Sequence, residues 1–586
     1  MCCKRGVGLL ACLILLAGCS KKQDSFERIA IPPFENLAAD SALDWMSRGF
    51  SELVGLQFTG LPAVHPLNVT TQRDAAAVGA TEVLYGYFYR HGGRLRVEAV
   101  LEDAGNHRTA KFASASGPEA EGILPLARSL ALQLNGSARP LGALNDAALR
   151  AFVQARTTAD AAAGTKAFER ATAADPGFGA AYVAWAQWLL SRGDRAAARE
   201  VIARAARLGS QIPEVERARL GVLEAMLQGD RAAQYRALVS LSKVTPADSE
   251  VFRNLAELDL MAHRYPAAAD SYNKAAERSP EDVLLLNQLG YAQSYARDLE
   301  GAGKTLRRYR ELRPRDANPS DSLGDVHYYL GRFSEAEKFY LEASGKDPSF
   351  LGGGDLYKAA WARLMTGDQK GADQFFGRFL EFRRAAGDSL VEYRRAEWEY
   401  LSGRRKEAEA RLEQFVKAQP APDRASLAWS QLSIWKLESG DRARAGECAT
   451  RSLATAGNPG SRLLAEMCRF LAQPDASASE WALRAERTFP TPAQAVAKQY
   501  ALAYALLLDR QFAAAVPALR QLYDQTPPSS PEPLNVLLAW ALIESKQAGQ
   551  VGDLLNTYPI PRPEGEQPFY CLGFPRLFEL RRITLR

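Results

Sequence analysis

The chain has 586 residues, too many for one hydrophobic core, and 47% of them are apolar, the balance of a folded chain. A formal charge of +5 is small for that length and gives no reason to expect nucleic-acid binding, which calls for concentrated Lys and Arg on one face. Seven cysteines are present, none in a CxxC or Cys/His spacing, so neither a metal centre nor a cofactor is expected.

The amino terminus reads as a targeting segment. Lys4 and Arg5 precede the apolar run "VGLLACLILLA", which is too short for a typical membrane span. The run ends in Leu16-Ala17-Gly18-Cys19, which resembles a bacterial lipobox. The resemblance implies that residues 1–18 are a lipoprotein signal peptide, cleaved before Cys19, and that Cys19 carries acyl chains such as palmitate. Each buried CH₂ of such chains contributes about 0.8 kcal/mol to membrane attachment. Ser20, rather than Asp, is what the Gram-negative sorting rule associates with the outer membrane, so an outer-membrane anchor facing the periplasm is expected. A plain signal peptide or an uncleaved anchor is the alternative. Residues 19–26 read as a polar tether.

Residues 27–137 have the pattern of a small α/β domain. "RIAIPPF" is a buried strand, "SALDWMSRGFSELVGLQF" an amphipathic helix with Ser41 as candidate N-cap, "LPAVHP" a short strand and "TTQRDAAAVGA" a second helix. Three strands follow, with turns at His91-Gly92-Gly93 and Gly105-Asn106. "GPEAEGILPLARSLALQL" closes the stretch as a helix. The order is βαβα-βββ-α. The runs Ile29 to Leu37, Asp44 to Gly49, Gly79 to Gly86 and Arg94 to Ala99 resemble the amino-terminal domain of TolB and its relatives, although Pro32-Pro33-Phe34 stands where that family has Leu-Pro-Phe. The resemblance implies a non-catalytic interaction module of the cell envelope.

From Leu141 the pattern is helix-turn-helix, and it is most regular between Thr245 and Pro348. Pro246, Pro280, Pro314 and Pro348 are spaced by 34 residues. Ala256, Gly290 and Gly324 recur at the same interval, as do Ala268, Ala302 and Ala336, and Tyr272, Leu306 and Tyr340. A fixed period means one stacked unit. The small residues let two helices approach; a large side chain there overpacks by about 1–3 kcal/mol. The proline cannot continue a helix and separates one unit from the next. This series resembles the tetratricopeptide repeat. The expected fold class is therefore mostly α: a right-handed helical-repeat solenoid over 141–557, preceded by the small α/β domain. After Pro348 the register loosens, but Gly367-Asp368, Gly403-Arg404 and Gly440-Asp441 mark turns, followed by Ala372, Ala408 and Ala445. Eleven or twelve units fit before residue 557. The aromatic tail 558–586 is expected to cap the last helix pair.

No catalytic set emerges. Gly301-Ala302-Gly303-Lys304-Thr305 ends like a phosphate-binding loop, but Asp298 stands where that loop needs glycine and Ala302 is a packing residue of the repeat. No nucleotide is expected. Gly352-Gly353-Gly354 reads as an inter-repeat linker. Cys448 and Cys468 fall on neighbouring helices, either as a disulfide or as two separately buried thiols.

What remains is the groove, which in this repeat family is lined by first helices. The resemblance places Arg253, Glu257, Asn287, Tyr291, Asp321, Asp325 and Tyr328 there, and farther on Tyr357, Trp361, Trp398, Trp429 and Trp435. Some members clamp a carboxyl terminus with Lys and Asn at the places held here by Arg253/Glu257 and Asp321/Asp325, so that clamp is not expected. Aromatics with mixed charge suit protein or peptide binding; core packing is the competing role for the tryptophans. The expectation is a membrane-anchored envelope scaffold binding proteins or peptides, not an enzyme. A polysaccharide-binding accessory lipoprotein is the alternative, since the tryptophans could stack sugars.

Overall fold

The computed structural model describes residues 26–71, 73–141, 144–527, 533–557, 562, 568–573 and 576. The Cys19 motif lies outside them. The fold is mostly α: a tetratricopeptide-type helical-repeat solenoid, with a small α/β domain ahead of it in the chain. Two compact units divide at 248/249.

The first unit opens with β1 (Glu27–Ile31), β2 (Glu35–Asn36), α1 (Asp44–Phe58), β3 (Val64–Asn68), α2 (Asp74–Ala77), β4 (Glu82–His91), β5 (Arg94–Asp103), β6 (Thr109–Pro118) and α3 (Leu124–Leu134). The sheet order is β3-β1-β4-β5-β6, with β2 paired to β4. β1 lies parallel to β3 and β4; β4, β5 and β6 form an antiparallel meander. Along β5, Leu95, Val97, Ala99 and Leu101 are buried while Arg94 and Arg96 point outward, the period of two that sets which face is covered. Ser41 is not the cap of α1. It begins a short 3₁₀ turn ahead of the helix, and the Asp40 carboxylate accepts from the Ala42 amide. Phe34 lies directly over β4, where a Cβ on Gly86 would meet its ring at 2.2 Å. Asn36 donates to Asp44 at 2.7 Å. These contacts join the first two sequence runs to the third.

The same unit continues with three hairpins: α4 (Asp146–Thr157) with α5 (Ala161–Ala174), α6 (Gly179–Ser191) with α7 (Arg195–Ala206), and α8 (Glu214–Gln228) with α9 (Arg231–Val244). The core beneath the sheet runs without a break into them. Phe152 of α4 packs edge-on against Phe178 at 5.0 Å and Phe168 at 6.4 Å.

The second unit holds the most regular repeats. Its hairpins are α10 (Ser249–Met261) with α11 (Tyr265–Arg278), α12 (Val283–Tyr295) with α13 (Leu299–Leu312), α14 (Asn318–Tyr329) with α15 (Phe333–Lys346), and α16 (Gly354–Met365) with α17 (Gln369–Ala385). Then come α18 (Val391–Leu401) with α19 (Arg405–Lys417), α20 (Pro422–Glu438) with α21 (Arg442–Thr455), and α22 (Pro459–Leu471) with α23 (Ala478–Thr488). The last are α24 (Ala495–Leu508) with α25 (Phe512–Gln525) and α26 (Leu534–Glu544) with α27 (Val551–Thr557). Every repeated position takes the role its chemistry suggests. Ala256, Ala268, Ala302 and Ala336 are buried without exposed surface. A Cβ on Gly290 would meet Leu306 at 2.6 Å, and one on Gly324 would meet Tyr340 at 2.4 Å. Gly301 to Thr305 lie inside α13, capped by Asp298, so they form a helix and not a phosphate loop. Gly352 and Gly353 take left-handed backbone, φ 63° and 80°, in a tight turn that starts α16. Cys448, Cys468 and Cys571 are free, buried thiols.

Residues 568–572 form a 3₁₀ turn against the first helices of several hairpins. Gln431 of α20 donates to the Pro568 carbonyl at 3.2 Å, and Phe569 stacks on Tyr504 of α24 at 4.9 Å. Arg576 covers Trp540 of α26 at 4.6 Å. The described residues 568–573 and 576 thus reach the last hairpin and also meet helices far upstream of it.

Candidate functional site

The second unit holds a cavity of 840 Å³, lined mainly by first helices with Tyr272 of α11 and Phe376, Phe379 and Arg383 of α17. Six of the residues expected in the groove line it: Glu257, Tyr291, Asp325, Tyr357, Trp361 and Trp398. They arrive there because successive first helices stack and present corresponding positions to one face.

The other six stand elsewhere. Arg253 pairs with Glu250 and Glu257 on its own helix, outside the lining. Asn287 is half-buried on α12, and Asp321 is buried behind the cavity wall. Tyr328 has no exposed surface. Trp435 is buried and stacked on Tyr400 at 4.2 Å, a packing role. Trp429 is half-buried beneath the Arg451 guanidinium at 4.8 Å. Even within the lining, Trp398 is mostly a wall: its ring stacks on Phe376 at 4.5 Å and its indole N–H donates to Asp373 at 2.7 Å.

At one end of the cavity sits a buried ionic cluster. Asp325 accepts four hydrogen bonds. Its Oδ1 takes them from Tyr340 Oη at 2.8 Å and Arg562 Nη2 at 3.0 Å. Its Oδ2 takes them from Tyr291 Oη at 2.9 Å and Lys358 Nζ at 3.0 Å. Lys358 also donates to Asp321 at 2.6 Å. Arg562 Nη1 donates to Tyr340 Oη at 2.9 Å, so the phenol passes a hydrogen bond from cation to carboxylate.

Burial would raise the Asp325 carboxyl, but the Lys358 and Arg562 charges and the Tyr340 hydroxyl outweigh it and hold it at about 2. Asp355 goes the other way. Burial first, then the neighbouring Asp321 charge, push it up to about 9, so at neutral pH it is a protonated acid. Burial raises Asp321 as well, against the pull of Lys358. Burial would lower Lys358, and the Asp321 and Asp325 charges more than restore it.

Sequence reasoning missed Lys358, Asp355 and Arg562. Lys358 carried a signal, as one charge among apolar neighbours in "LYKAAWA". Arg562 carried none, because its partners lie more than 200 residues upstream. Among the described residues no group of His, Cys, Asp and Glu is placed to hold a metal. No described helix is long and apolar enough to cross a membrane.

No family model matches the chain, and no curated protein does. Solved structures with partial likeness include MamA, 19% identical, TM-score 0.26, covering 29% of this chain and 92% of its own. Another is a tetratricopeptide repeat protein from Parabacteroides merdae ATCC 43184, 14% identical, TM-score 0.31, covering 49% and 98%. A third is YrrB, described as a TPR protein with an unusual peptide-binding site, 14% identical, TM-score 0.25, covering 37% and 92%. Likeness at this level carries nothing about function. The repeat architecture stands on the chain's own 34-residue register and its buried small-residue columns.

Proposed function

We propose that this protein is a membrane-anchored scaffold of the bacterial cell envelope that binds proteins or peptides in the cavity of its second unit. The observation that carries the reading is the 840 Å³ cavity whose lining combines aromatic side chains with charges of both signs. That combination suits an extended peptide, whose apolar side chains fill the aromatic part while a few polar groups fix its orientation. The Leu16 to Cys19 motif supports the anchor, and the TolB-like runs in 27–137 support an envelope setting. Domain limits at 18, 26, 137 and 557 belong to the same proposal.

Selection of peptides from a display library on the purified chain tests the binding. Peptides selected by the wild type should be lost on Glu257→Arg and Tyr357→Ala, which alter the cavity wall. Selection of no peptide, or retention by both variants, would overturn it. Palmitate labelling in a bacterial host tests the anchor: the wild type should label and Cys19→Ser should not. A polysaccharide ligand is the lesser reading, because it needs open indole faces and Trp361 and Trp435 are 0% and 1% exposed.

A further inference from the structure

The charged end of the cavity is assembled by the repeats but completed from outside them. Tyr291, Asp325, Tyr340 and Lys358 belong to α12, α14, α15 and α16. Arg562 belongs to no hairpin and stands five positions beyond the end of α27. Its side chain is 3% exposed as a residue, forks between Asp325 and Tyr340, and lies 5.1 Å from the Tyr328 ring centre and 5.7 Å from that of Tyr340. Two aromatic faces, a carboxylate and a phenol oxygen are what a planar, many-donor cation matches. Lys358, a compact point charge, is already placed on the other carboxylate oxygen.

The seat also has a charge requirement. Without Arg562, Asp325 keeps only Lys358, which it shares with Asp321. A buried charge is tolerated only when it is paired. The seat therefore calls for a second cation on Asp325, and Arg562 supplies it. The cavity continues from this point past Tyr291, Tyr329 and Tyr357, half-buried rings that can meet the apolar neighbours of such a cation.

From this geometry we infer that the cavity recognises a peptide segment through an arginine seated on Asp325, Tyr340 and Tyr328, and that Arg562 is an internal occupant which the ligand's arginine replaces. The inference rests on the peptide-binding reading above and adds its anchor residue. In sequence Arg562 is bracketed by Pro561 and Pro563, within "YPIPRPEG". Each proline fixes its own φ and biases the residue before it toward extended backbone, so the ligand class is an extended, proline-flanked arginine segment.

Two probes test this on the full chain. The first is N-ethylguanidinium, the head of an arginine side chain. It should raise the melting temperature of Arg562→Ala more than ethylammonium does, and leave Asp325→Asn/Arg562→Ala unchanged. The second is a fluorescent peptide of sequence YPIPRPEG and its citrulline counterpart, neutral at the same shape. The arginine peptide should bind Arg562→Ala about tenfold tighter than wild type, and the citrulline peptide should lose that gain. Arg562→Lys, which keeps a cation in the seat, should show a smaller gain of the same kind and serves if Arg562→Ala does not fold. Equal binding of the two peptides by either variant, or no gain over wild type, overturns the arginine seat. Library peptides without arginine that are lost on Tyr357→Ala would overturn the seat while leaving the binding groove standing. Selection of no peptide by wild type or by Arg562→Ala would sink both.

Discussion

His263 and Tyr523, 260 residues apart, meet face to face. The imidazole Nε2 donates to the Tyr523 carbonyl at 2.9 Å, and the two rings stack with centres 4.3 Å apart. His263 occupies the turn of its hairpin with φ 54°, where four later hairpins use Gly331, Gly367, Gly403 and Gly440 and three others use Arg297, Arg510 and Lys546. A side chain in left-handed backbone costs roughly 1–2 kcal/mol. The residue accepts that strain and ties the first hairpin of the second unit to the hairpin of α24 and α25.

His263→Gly should relieve the turn and release the tie. Amide exchange should speed up in both α10–α11 and α25, while the hairpins between them change little. Equal exchange in wild type and variant would show the contact to be incidental.

The same histidine gives the unit a pH dependence. Burial lowers its pKa, so the neutral form is the one the fold accommodates. Its stabilising contribution is complete above the unfolded value near 6.5 and is lost as pH falls below it. The urea midpoint of the wild type should drop between about pH 7 and pH 5 by more than that of His263→Gly.

Asp355 predicts a gain. Its folded pKa, about 9, lies above the unfolded value, so its contribution is greatest in acid and is lost as pH rises from about 4 toward 9. Asn mimics the protonated acid and does not titrate. Asp355→Asn should therefore stabilise the second unit by more than ~1 kcal/mol at neutral pH, and the advantage should vanish near pH 4. Denaturant curves at both pH values decide it.

Tyr340 separates packing from recognition. Tyr340→Ala removes a fully buried ring and should cost about 3–5 kcal/mol. Tyr340→Phe keeps the ring but removes one donor to Asp325 and one acceptor from Arg562, and should cost about 1–3 kcal/mol. The circular dichroism spectrum of Tyr340→Phe should match wild type while its melting temperature falls.

Two glycines of one hairpin should respond with opposite signs. A Cβ on Gly324 meets the buried Tyr340 ring, so Gly324→Ala should destabilise by roughly 1–3 kcal/mol. A Cβ on Gly345 of α15 meets nothing, so Gly345→Ala should stabilise by about 0.5–1 kcal/mol. Melting temperatures of the two variants check the pair.

The small and aromatic columns were legible because one packing contact recurs every 34 residues and leaves the same residue types each time. Legibility fell where that recurrence stopped. First helices start 34 residues apart at Ser249 and Val283, but 36 apart at Asn318 and Gly354, so the register lost its hold on α16, which carries Lys358 and Asp355. Tryptophans were ambiguous for a different reason. Residue type does not say whether a ring faces inward or into the groove: Trp361 and Trp435 are both buried, and Trp361 only backs the cavity wall. Arg562 was illegible because its partner is fixed by how the unit curves, which no local pattern records.

The tail has a consequence for synthesis. Gln431 waits 137 residues for Pro568, and Asp325 waits 237 for Arg562. A growing chain presents the helices through α27 before either partner exists, and contacts so distant in sequence form slowly. Nascent hairpins can stack as they leave the ribosome, but the last step of folding must follow translation of Arg576, which covers Trp540. Until then the acidic seat stands open on a half-finished polypeptide.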